Sequence, residues 1–164
     1  MPILATQRAR DRQTGIGMIE VLIAVLIVSI GFLGMAALQA KALSTNNSAM
    51  ARSMATVASY SILDAMRTDL TSAEAGAYGS ISAPTTVIAN ACPVAGGSLA
   101  SVQLNQWCTQ LGDTLGATAS TKGTIACSIT AQCTITITFN DSRSGTEGAS
   151  VGSSAQQVVT RAGL

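Results

Sequence analysis

At 164 residues the chain has room for one modest domain beside an anchoring segment. Nine Lys and Arg against eight Asp and Glu leave a net charge of +1, a balance that gives no electrostatic footprint for sequence-independent nucleic-acid binding. There is no histidine, and no cluster of carboxylates suited to acid–base work, so composition argues against an enzyme and points to no small-molecule substrate, cofactor or metal.

Residues 1–15 read as a short leader holding Arg8, Arg10 and Arg12 against Asp11. The leader ends at Gly15, before the apolar run, which points to cutting on the cytoplasmic side. A secretory signal is instead cut after an apolar core of about 7 to 15 residues. The core here is longer, although Ala40-Lys41-Ala42 offers a small-residue site. From Val21 to Ala40 no residue is charged, and about 20 apolar residues at 1.5 Å rise each suffice to cross a bilayer. Residues 16–40 are therefore expected to form a transmembrane half-helix. Arginines precede it and only Lys41 closely follows, which places the N-terminus in the cytoplasm and everything after residue 40 outside. Glu20 sits at the mouth of the run, although a charge costs roughly 2.5 to 3.5 kcal/mol at the helix centre and less toward the interface. A helix needing only an anchor would omit it.

No proline occurs between Ile16 and Pro84, and the pattern predicts one helix from Ile16 to about Leu70. Its interior glycines, Gly31 and Gly34, with Ala36 and Ala37, read as a packing surface, since small residues let neighbouring membrane helices approach closely; simple tolerance of glycine in lipid is the alternative. Residues 41–72 form an amphipathic half. Leu43, Met50, Met54, Val57, Ile62, Met66 and Leu70 recur at helical intervals with polar residues between them, and this stripe is expected to pack on a soluble domain, the methionines as adaptable filler.

Residues 73–164 make that domain. From Thr71 to Ala100 small and polar residues dominate, predicting a loop with a short strand at Val87 and Ile88. Ser101 reads as the N-cap of a second helix carrying Val102, Leu104, Trp107, Leu111 and Leu115 on one face and stopped by Gly116; Trp107 is expected in the core. Thr124 to Phe139 alternates apolar and polar residues as two strands. Placing both apolar sets on one face opposes residues of like parity, which excludes a two-residue turn at Ala131-Gln132 and favours an odd-numbered loop. Asn140 to Gly145 reads as a polar turn, Gly145 to Ser154 as flexible, and Ala155 to Arg161 as a third strand.

The expected orientation puts the four cysteines in an oxidising space, where three pairings are open to them. We favour Cys92 with Cys108 and Cys127 with Cys133. A five-residue loop sets Cys127 opposite Cys133 at a Cα separation of about 4.5 to 5.5 Å, within reach of a disulfide; a slip by one pair gives a diagonal placement, so the bond is favoured without being forced. A four-thiolate zinc site lacks the usual close-spaced cysteine pairs, and buried free thiols suit the compartment less well.

Gly15-Ile16-Gly17-Met18-Ile19-Glu20, followed by Val21-Leu22-Ile23-Ala24-Val25, resembles the class III leader and N-terminal helix of type IV pilins and the related secretion pseudopilins. Within that group Ser29 to Gln39, Trp107 and the strand ending Phe139-Asn140-Asp141-Ser142-Arg143 look similar to PilV-type minor pilins. The resemblance implies an α+β lollipop fold, a long N-terminal helix packed on a small antiparallel sheet with an additional short helix. It implies cutting between Gly15 and Ile16 by a prepilin peptidase, methylation of the new amine at Ile16, and a Glu20 carboxylate that meets the N-terminus of a neighbouring subunit. This chain has Ile16 where phenylalanine is usual and Gly17 where serine or threonine is common. The implied function is a non-enzymatic minor pilin that takes part in pilus assembly and priming. The rivals are a minor pseudopilin of type II secretion and a membrane-anchored adhesive or binding module. Implied partners are other minor and major pilins, the peptidase and the inner-membrane assembly platform, with the chain in the inner membrane, head periplasmic, before assembly and on the pilus afterwards.

Overall fold

A computed structural model describes residues 17–142 and 153–164; the leader, the Gly15–Ile16 bond and most of the Gly145–Ser154 stretch lie outside the described residues. Two compact units divide the chain, residues 1–40 and 41–164.

Helix α1 covers Met18–Thr68, a stretch in which no proline removes a backbone donor. It stops short of Leu70, because Asp69 leaves helical space at φ −129°, ψ 51°, and a separate turn, α2 (Leu70–Glu74), follows. The Asp69 side chain accounts for the break. Its Oδ1 accepts from Ser72 Oγ at 2.7 Å and its Oδ2 from the Tyr78 hydroxyl at 3.1 Å, local bonds that compete with continuing the helix.

The face that α1 buries in the second unit keeps Ile62 and Met66 of the expected stripe and departs from the rest of it. Ser48, Ala55, Ala58, Ser59, Ile62, Leu63 and Met66 are buried, whereas Leu43, Met50, Val57 and Leu70 are exposed and Met54 is half-buried. The reason is closeness of approach. Small side chains at 55, 58 and 59 let the helix backbone settle against the core, where dispersion attraction is strongest between surfaces that touch without voids.

The sheet comprises β1 (Thr85–Ile88), β2 (Lys122–Cys127), β3 (Gln132–Phe139) and β4 (Gln156–Gly163), in that order and antiparallel throughout. Gly123 faces Ile137, Ile125 faces Ile135 and Cys127 faces Cys133, so residues of like parity are opposed and one face carries the buried set. The fold is thus α+β, a long helix and a small antiparallel sheet sharing one core with a further helix.

That further helix, α3 (Leu99–Leu115), is capped by Ser98, three residues before the expected Ser101. Ser98 is extended, and its Oγ accepts from Ser101 N at 3.2 Å. Ser101 instead donates its hydroxyl back to Ser98 O at 2.7 Å and accepts from Gly96 N at 2.9 Å. Starting earlier also buries Ala100, a benefit that a capping pattern alone does not register. Gly116 closes the helix at φ +99°. The stretch expected as loop up to Ala100 also contributes Tyr78, fully buried, to the core.

Candidate functional site

Each unit brings its own set of candidate residues. In the first, α1 opens on bonds from Glu20 N–H to Gly17 O at 2.9 Å and from Val21 N–H to the same oxygen at 3.4 Å. Glu20 lies in the first turn, where the helix dipole favours a carboxylate. Every residue from Gly17 to Leu43 is exposed. The most apolar window has a mean hydropathy of 2.8 and none of it is buried within the chain. Soluble monomers rarely expose apolar patches beyond a few hundred Å², so this surface requires a bilayer or a bundle of neighbouring helices.

A shallow groove of about 550 Å³ runs along this half, lined by Glu20, Ala24, Val28, Ser29 and Phe32 among others. A Cβ built on Gly31 or Gly34 meets nothing within 4 Å, so nothing inside the chain demands glycine at either place. On a helix of 3.6 residues per turn, Glu20, Ala24, Gly31 and Gly34 fall within about 80° of one another. The one carboxylate and the closest-approach positions therefore share a face. Gly15 and Ile16 lie outside the described residues.

In the second unit the four cysteines form two disulfides, Cys92–Cys108 with a Cα separation of 5.5 Å and Cys127–Cys133 with 4.0 Å. No thiolate is left for a metal, and no group of three potential ligands occurs among the described residues. Trp107 is buried, its Nε1–H donating to Ala58 O at 2.9 Å.

Two groups of polar contacts that sequence reasoning did not single out tie the head together. Ser48 Oγ donates to the buried Asp141 carboxylate at 2.5 Å, tying α1 to the exit of β3. The Tyr78 hydroxyl bonds Asp69 and the Gln103 amide; burial, then the Asp69 carboxylate, push its pKa well above the ordinary phenol value. Asp69, a residue type that caps helix starts, carried a readable sign of the new turn that begins at Leu70. Nothing local marks Asp141 as buried.

Residues 10–36 match the family model of the prokaryotic N-terminal methylation motif. That segment contains both the Gly15–Ile16 bond and Glu20. Neither curated proteins nor solved structures give a significant match to the chain. The motif indicates a type IV pilin-like or pseudopilin protein; it implies processing by a prepilin peptidase and, with the apolar helix, supports a membrane anchor.

Proposed function

We propose that this chain is a minor pilin of the PilV type, a structural and non-enzymatic subunit that takes part in assembling or priming a type IV pilus. The observation that carries the reading is the placement of Glu20 in the first turn of an apolar helical stretch exposed from Gly17 to Leu43, inside the methylation motif and on the same face as Gly31 and Gly34. Cutting after Gly15 creates an ammonium at Ile16, and a carboxylate entering a low-dielectric helix bundle is tolerable when it meets such a cation. Glu20 then selects the N-terminus of a neighbouring subunit while the glycines admit its helix. Before assembly the head stands in the periplasm, where its disulfides persist; afterwards it lies in the fibre. Partners on this reading are major and minor pilins and the inner-membrane assembly platform.

Two substitutions test it. Gly15→Leu should retain the leader, read as a heavier membrane form by intact mass, and reduce surface pili. Glu20→Leu should leave processing and insertion intact yet abolish incorporation into fibres. Normal incorporation of the Glu20 variant would overturn the role given to the carboxylate. A minor pseudopilin of type II secretion shares the same motif, and loss of enzyme export with normal piliation would select that reading.

A further inference from the structure

We draw no further inference here: the strongest candidate, the outer edge of β4, which pairs with β3 along its full length and stands last in the order of the sheet, carries nothing because nothing in the structure shows what covers it.

Discussion

Trp107 and Gly123 are matched across the core: a Cβ added at Gly123 would lie 2.3 Å from Cη2 of the indole and 2.7 Å from its Cζ3. The ring occupies the space that any larger residue on β2 would need, and it spans to α1 through its bond to Ala58 O. Gly123→Ala is expected to destabilise the head by about 1–3 kcal/mol through overpacking. Trp107→Phe should cost a similar amount from the lost hydrogen bond and the void. Because phenylalanine removes the two clashing atoms, the double variant should be more stable than the sum of single losses requires. Denaturant titration of all four proteins measures the coupling, and strict additivity would show that the two positions do not meet.

Ser48 and Asp141 join α1 to the end of β3 inside the protein. Ser48→Ala deprives a buried carboxylate of a donor and is expected to cost about 1–3 kcal/mol. Combining it with Asp141→Asn should cost less than the two changes apart, since the neutral amide has less to lose from the missing hydroxyl. Thermal unfolding of the single and double variants decides this.

Tyr78 supplies the pH dependence. Its folded pKa lies above the unfolded value near 10, so the stability it contributes is complete below about pH 10 and is lost as pH rises through the folded pKa. The wild-type head should therefore weaken between pH 10 and more alkaline conditions. Tyr78→Phe should flatten that slope while lowering stability at neutral pH, where the hydroxyl still bonds Asp69. Unfolding midpoints from pH 8 upward test it, and an unchanged slope in the variant would place the titrating group elsewhere.

The two disulfides close loops of different size, with sequence separations of 16 for Cys92–Cys108 and 6 for Cys127–Cys133. By chain entropy alone their removal costs about 3 and about 2.4 kcal/mol respectively. Replacing each pair by alanine should rank them in that order by chemical unfolding. A reversed ranking would mean that the hairpin bond does more than shorten the unfolded chain.

The sequence by itself determined what depends on short-range rules. The proline-free run made one long helix, strict alternation made β2 and β3, and parity fixed which residues share a face, leaving a slip by one pair open until the structure set Ile125 opposite Ile135 and Cys127 opposite Cys133. A charge at the head of an apolar run was visible as an oddity without any fold. The tertiary structure alone decided which side of α1 turns inward. Periodicity counts bulk and favours Met50 and Val57, but burial is a property of two surfaces, and the core accepted the side of Ala55, Ala58 and Ser59, where the Trp107 indole reaches the Ala58 carbonyl. The same holds for Asp141, Tyr78 and the choice of Ser98 over Ser101. Each was settled by a partner distant in sequence or by an extra residue buried, contributions that no local pattern contains.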